Sequence, residues 1–203
     1  MQYNTGRKFY LFFSLFILTY CASNFAQTKS NLDLFYSMVD SSAAKIIKSS
    51  PDTSKAISIE LNLGTNYSVF GNRLIGYLSA HGINISLKTN EGEPIVRYVV
   101  DHINVSYPEM FRNGFLGTYY AKRKVSLSGN FILSNFKTKS ENFSYSITDT
   151  VKADGIKEIE NAAFPFTHGK IPAEPFFSSL LEPAVAIGAA ATAVVLFFTI
   201  RSK

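Results

Sequence analysis

Apolar residues open and close this chain in two unbroken runs, and between them they recur with helical or strand periods. The closing run, from Ala184 to Ile200, has no charged residue; Glu182 and Pro183 precede it, and Arg201 and Lys203 follow. A core helix would show a polar face, and this run shows none. It predicts a membrane-spanning helix over 183–200, close to the ~20 residues a bilayer needs. The opening run, "FYLFFSLFILTYCA" (9–22), follows Arg7 and Lys8 and ends near Ala26. A basic start, a short apolar core and a small residue before a cut form the pattern of a secretory signal peptide over 1–26. Two other readings stay open: an uncleaved anchor, and a lipoprotein whose acylated first residue is Cys21.

Between the runs, "SNLDLFYSMVDSSAAKIIK" (30–48) places Leu32, Phe35, Val39, Ala43, Ile46 and Ile47 at helical spacing, with Ser30 and Asp33 as a capping box. "AISIELNL" (56–63) alternates: Ile57, Ile59, Leu61 and Leu63 point one way, and Ser58, Glu60 and Asn62 the other. Residues 64–82 return to helical spacing through Tyr67, Phe70, Leu74, Tyr77 and Leu78. Thr65 or Asn66 is the expected cap, and Gly82 suits the left-handed position past the end. A short strand at 83–88, a turn at 90–93 and a long, less regular strand over 94–107 follow, then a loop over 108–117. The clearest strand, 118–136, puts Val125, Leu127, Phe131 and Leu133 on a core face, Ser126, Ser128, Asn130 and Ser134 on the other, and a bend at Gly129. A last strand over 143–150 carries Phe143, Tyr145 and Ile147.

This order predicts an α+β two-layer sandwich over 27–160: about five mainly antiparallel strands with two helices on one face. Residues 161–182, with Pro165, Pro172 and Pro175, read as a Pro/Phe-rich tether. Extended, it would hold the domain up to ~60 Å from a bilayer; Phe164 and Phe166 instead offer a way to dock on the domain or on a partner. Residues 201–203 form a tail whose Arg201 and Lys203 favour the cytoplasmic side. The expected product is a type I, single-pass protein of the cytoplasmic membrane with its domain on the periplasmic side.

Composition narrows the function classes. Lys and Arg number 20 and Asp and Glu 15, a formal charge of +5 with no basic stripe, which argues against nucleic acid as a partner. Cys21 is the one cysteine. If a signal peptide removes it, the mature domain has no disulfide, thiol nucleophile or Cys-based zinc site, and a bacterial envelope protein is the economical reading. His81, His102 and His168 fall in different elements, with no metal-ligand or catalytic spacing between them. No P-loop, nucleophile elbow or dinucleotide fingerprint is present, and no cofactor is expected. Asp101 is expected to point away from His102 across the strand. Lys122, Arg123 and Lys124 form a short cationic patch suited to a sheet edge or to an anionic ligand. In the closing run Ala184, Gly188 and Thr192 lie four apart, a small-residue face on which two helices can pack, including those of a homo-oligomer.

The succession of signal, strand, helix, strand and long strands with Ser/Thr-rich outer faces, over about residues 55–150, resembles small bacterial envelope assembly proteins. These are the lipopolysaccharide-assembly lipoproteins and the auxiliary lipoproteins of lipid-transport systems. The resemblance is one of topology. It implies a non-enzymatic scaffold that binds partner proteins or envelope lipids. Those families are anchored by an N-terminal lipidated cysteine, whereas this chain carries its long apolar run at the C-terminal end. The expectation is a membrane-held interaction module. The alternatives are a carrier of a lipid or glycan in a slot between helices and sheet, and an enzyme built around His102.

Overall fold

The computed structural model describes residues 28–50, 56–64, 67–86, 93–114, 117–134, 138–173 and 176–201. The expected signal peptide with Cys21, the caps Thr65 and Asn66, most of the 90–93 turn and the end of the C-terminal tail lie outside the described residues.

Helix α1 (Asn31–Ser49) begins where the capping box places it. The Ser30 hydroxyl accepts from the Asp33 amide at 3.1 Å, and the Asp33 carboxylate accepts from the Ser30 amide at 3.2 Å, so two orphan donors are satisfied reciprocally. Its buried face is Leu34, Phe35, Met38, Val39, Ser42, Ala43 and Ile46, with Leu32 and Ile47 at the margins. Helix α2 (Ser68–Ala80) buries Phe70, Leu74 and Leu78; Tyr67 stands at its N-cap without a side-chain capping bond. Gly82 follows it at φ +82°, the left-handed stop expected of it. Gly71 serves close approach: a Cβ there would stand 2.6 Å from Leu61 Cδ1 and 3.2 Å from Leu63 Cδ1.

Strands β1 (Ile57–Asn62), β2 (Ile85–Ser86), β3 (Ile95–Arg112), β4 (Tyr119–Ser134) and β5 (Thr138–Lys152) form one sheet in the order β2-β1-β3-β4-β5. The expected five strands are present, and the three long ones are antiparallel as expected, but the sheet as a whole is mixed. β1 runs parallel to both β2 and β3, while β3, β4 and β5 are antiparallel. The physical reason is α2, which carries the chain back to the starting end before β2, so β1 and β2 share a direction.

β3 corrects a second expectation. It continues to Arg112, through residues read as a loop from Pro108 onward. Two register shifts against β4, between Val100 and His102 and between Ser106 and Glu109, hide the strand from a period-two reading. The inward residues are Val96, Tyr98 and Val100 before the first shift, and Val105 and Tyr107 after it. Asp101 and His102 are therefore both exposed, not on opposite faces. Pro108 sits inside the second shift, where its missing N–H removes no ladder bond. In β1 the alternation is also imperfect: Ser58 is buried and donates to Glu93, whereas Leu61, beyond the end of β2, is 40% exposed.

The core lies between the helices and the inner sheet face. Tyr98 stacks on Phe143 with ring centroids 5.3 Å apart, and its hydroxyl pairs with that of Ser42 at 2.8 Å. After β5 a one-turn helix, α3 (Ile156–Ile159), buries both its isoleucines. A 3-10 turn (Pro165–Thr167) then sets Phe166 against Phe70 at 5.2 Å, Tyr67 at 5.4 Å and Phe35 at 5.8 Å. Lys170 bridges to Ser106, extending the sheet on the side of β3 that β1 leaves free. Packing on the domain thus continues past residue 160, through the first half of the expected tether. Helix α4 (Phe176–Arg201) completes the described chain.

Candidate functional site

The three histidines have separate surroundings. His81 stacks on Tyr77 at 4.1 Å and its Nδ1 contacts the Tyr77 carbonyl. His102 is exposed on the outer sheet face. His168 Nδ1 lies 3.9 Å from Glu160, and its Nε2 contacts the Asn161 carbonyl. Among the described residues, no group of three His, Cys, Asp or Glu side chains is placed to hold a metal.

The cationic trio divides. Lys122 and Lys124 project from the outer face of β4, while Arg123 is wholly buried beneath it, so the three do not form one patch. Arg123 clasps Asp149 of β5 through Nε to Oδ1 at 2.8 Å and Nη2 to Oδ2 at 2.5 Å. Its Nη1 donates to the Lys29 carbonyl and to Asn31 Oδ1, both at 2.8 Å. Asn31, also fully buried, donates to the Thr167 carbonyl at 2.7 Å and to Tyr107 Oη at 3.1 Å. Tyr107 in turn donates to Glu160, which also accepts from the Gly169 amide at 2.9 Å. Burial pushes the Tyr107 hydroxyl up to about 12, so it stays a neutral donor. This clasp fastens the start of α1 and the 160–170 segment to the same sheet. Gly169 is required there: a Cβ would stand 2.8 Å from the Tyr107 ring and 2.9 Å from the Val105 carbonyl.

Sequence reasoning missed Arg123 although the signal was present. Ala121, Arg123, Val125 and Leu127 share one parity along β4, as Phe143, Tyr145, Ile147 and Asp149 do along β5. The two charged residues are in phase with the inward residues and face each other in register.

The outer face of β4 and β5 carries a field of short polar side chains. Asn130 faces Asn142, Ser128 faces Ser144, and Ser126 faces Ser146 across β4 and β5. On the inner face, the gap bounded by Ile46, Ile47, Leu78, Ile83 and Val96 holds no space for a water molecule. An open cleft of about 570 Å³ lies elsewhere, at the hairpin end of β3 and β4, with Met110, Arg112, Tyr119, Asp154, Ile171 and Pro172 in its walls.

Helix α4 carries an apolar stretch, Pro183–Ile200, with a mean hydropathy of 2.1 and none of it buried against the domain. It is long and apolar enough to cross a membrane. On the face of Ala184, Gly188 and Thr192, the Thr192 hydroxyl donates to the Gly188 carbonyl at 2.8 Å, which satisfies it within its own helix.

No protein-family model matches the sequence, and no curated protein matches it. Among solved structures, the chain is similar to a minor lipoprotein from Acinetobacter baumannii, at 18% identity and a TM-score of 0.33, over 49% of this chain and 70% of that one. It is also similar to the rare lipoprotein B from Shewanella oneidensis, at 12% identity and a TM-score of 0.31, over 68% of this chain and 98% of that one. Both are bacterial lipoproteins.

Proposed function

We propose that this protein is a non-enzymatic, membrane-anchored envelope protein whose periplasmic domain binds partner proteins in an assembly or transport complex. The observation that carries this reading is the bare apolar stretch of α4. Val185, Ile187, Val194, Val195, Leu196, Phe197, Phe198 and Ile200 are each more than half exposed, and the domain covers none of them. At about 1.5 kcal/mol or more per side chain, leaving these in water forfeits on the order of 12 kcal/mol. That is comparable to the whole stability of a domain, so the helix belongs in hydrocarbon. Arg201 and Lys203 then stay cytoplasmic, with the domain on the other side. Self-association through Ala184, Gly188 and Thr192 belongs to the same reading.

Partner binding is supported by the outer face of β4 and β5. Its short Ser and Asn side chains lose little rotamer freedom on being covered and leave hydroxyl and amide groups for a partner to bond. The test is a photo-crosslinking residue at Ser128 or Ser146 of the full-length protein in native membranes, with adducts identified by mass spectrometry. Discrete protein adducts, absent when the residue replaces Lys48 on α1, support the reading. Adducts of lipid alone, or none, overturn it.

The second reading, a binder of an envelope lipid or glycan, draws on the 570 Å³ cleft. The closed gap between helices and sheet gives it no support there. Lipid co-purifying with the wild type and lost from Ala153→Trp would favour this alternative.

A further inference from the structure

We infer that the β3–β4 hairpin end of the domain is a docking site for a lipid surface, and that the domain lies down on the bilayer rather than standing off from it. The inference rests on the reading of α4 as the anchor and adds where the domain sits. Its first support is the length of the leash. Lys170 is held in the sheet by its bridge to Ser106, and the Gly169 amide is held by Glu160. Only residues 171–175 separate this fixed point from Phe176, the start of α4. The six Cα–Cα steps from Lys170 to Phe176 span at most about 22 Å. The seven helical residues before Pro183 add about 10 Å. The ~60 Å reach of a free 161–182 tether is therefore not available. Because Ile171 and Pro172 run beside Met110, Arg112 and Tyr119, it is the hairpin end that the leash draws toward the membrane.

The second support is what that end displays. Outside α4, three large apolar side chains are exposed among the described residues: Leu61, Phe111 at 38% and Ile171 at 42%. Two of the three are here. Phe111 stacks on Tyr120 with centroids 6.1 Å apart, and the Arg112 guanidinium lies over the Tyr119 ring at 5.1 Å. Aromatic rings beside cations are the composition of a membrane interface. Lys122, Lys124, Lys152 and Lys170 are exposed around them, against the acids Glu109 and Asp154. Lys152 pairs across the strands with Tyr120, and Lys122 with Glu109. The excess of cations matches a surface of lipid phosphates, and the rings match the layer beneath them.

Near an anionic surface each such lysine is worth about fivefold in the docked population, so reversing three shifts it by at least about a hundredfold. The experiment uses the full-length chain in a Cys21→Ser background, reconstituted in vesicles of phosphatidylethanolamine and phosphatidylglycerol. A fluorophore is placed at Asn113→Cys, at the hairpin end, or at Thr138→Cys, at the far end of β5. Headgroup-labelled quencher lipid reports proximity, and carbonate extraction reports spanning independently. Docking predicts strong quenching at 113 and little at 138. It also predicts that Lys122→Glu, Lys124→Glu and Lys152→Glu together bring 113 down to the level of 138 while the protein still resists carbonate. Equal quenching at the two positions in carbonate-resistant protein overturns the docking and leaves the anchor standing. Release by carbonate overturns the anchor reading, and the inference falls with it.

Discussion

Replacing Arg123 by methionine should destabilise the domain by about 3 kcal/mol, although Arg123 lies in a run of three cations that reads as surface. The guanidinium is fully buried and makes four hydrogen bonds. Methionine keeps most of the stem and removes all four. Asp149 is 39% exposed and recovers water, so its loss of partner is inexpensive. Asn31 is fully buried, and its Oδ1 is left without a donor, at about 1–3 kcal/mol. The space vacated by the guanidinium adds roughly 1 kcal/mol more. Asp149→Ala should be at least as severe, because it strands a buried cation, for which about 3–5 kcal/mol is typical. The double variant should lose less than the two singles together, with a coupling of about 1.5 kcal/mol or more. The assay is urea unfolding of the full-length protein in detergent, followed by the near-ultraviolet signal of its tyrosines, since the chain has no tryptophan. Lys122→Met, next door but exposed, is the control and should stay within about 0.5 kcal/mol of wild type. An Arg123→Met variant no less stable than that control would refute both the burial and the clasp.

Gly169→Val should free the 161–173 segment without unfolding the sheet, because its side chain cannot fit between the Tyr107 ring and the Val105 carbonyl. Limited proteolysis should then cut between residues 161 and 175 in the variant before it cuts the wild type there. Gly82→Ala, at φ +82° with open space around it, should lose about 1 kcal/mol through backbone strain alone in the same urea assay. Acid should loosen the tie between α1 and β5. The hydrogen bond from Lys139, with further bonds from Ser49 and Lys45, holds Glu141 at about 2, below its ordinary 4.5. A depressed carboxylate contributes stability that is complete above its unfolded value and lost as pH falls from about 4.5 toward 2. Glu141→Gln should therefore flatten that part of the urea midpoint against pH; because its partners Lys45 and Lys139 are exposed, the effect should also shrink in high salt.

Much of the fold was legible in the residues. The Ser30–Asp33 box starts α1, Gly82 stops α2, and the apolar/polar alternation of 125–134 fixes which face of β4 is inward. These are local signals, readable because a capping bond, a positive φ or a period of two involves neighbours only. β3 was legible only in part, because its two bulges reset the phase, so a single alternation cannot be followed from Val96 to Arg112. The parallel placement of β1 against β3 was not legible, since their partners stand some 37 residues apart and nothing local encodes the pairing.

Of the candidate site residues, the small face of α4 was a matter of spacing along one helix, whereas Arg123 needed both parity and a partner. Its inward phase could be read along β4; that Asp149, Asn31 and the Lys29 carbonyl converge on it could not. By itself the sequence determined where the apolar runs lie, which faces of the elements are buried, and that the closing run is long and apolar enough to cross a membrane, since each of these follows from the periodicity and hydropathy of nearby side chains. Only the tertiary structure decided that residues 161–170 dock on the domain. That docking depends on Phe166, Thr167 and Gly169 meeting Phe70, Asn31 and Tyr107 from distant parts of the chain, and contacts of that kind exist only once the chain has folded.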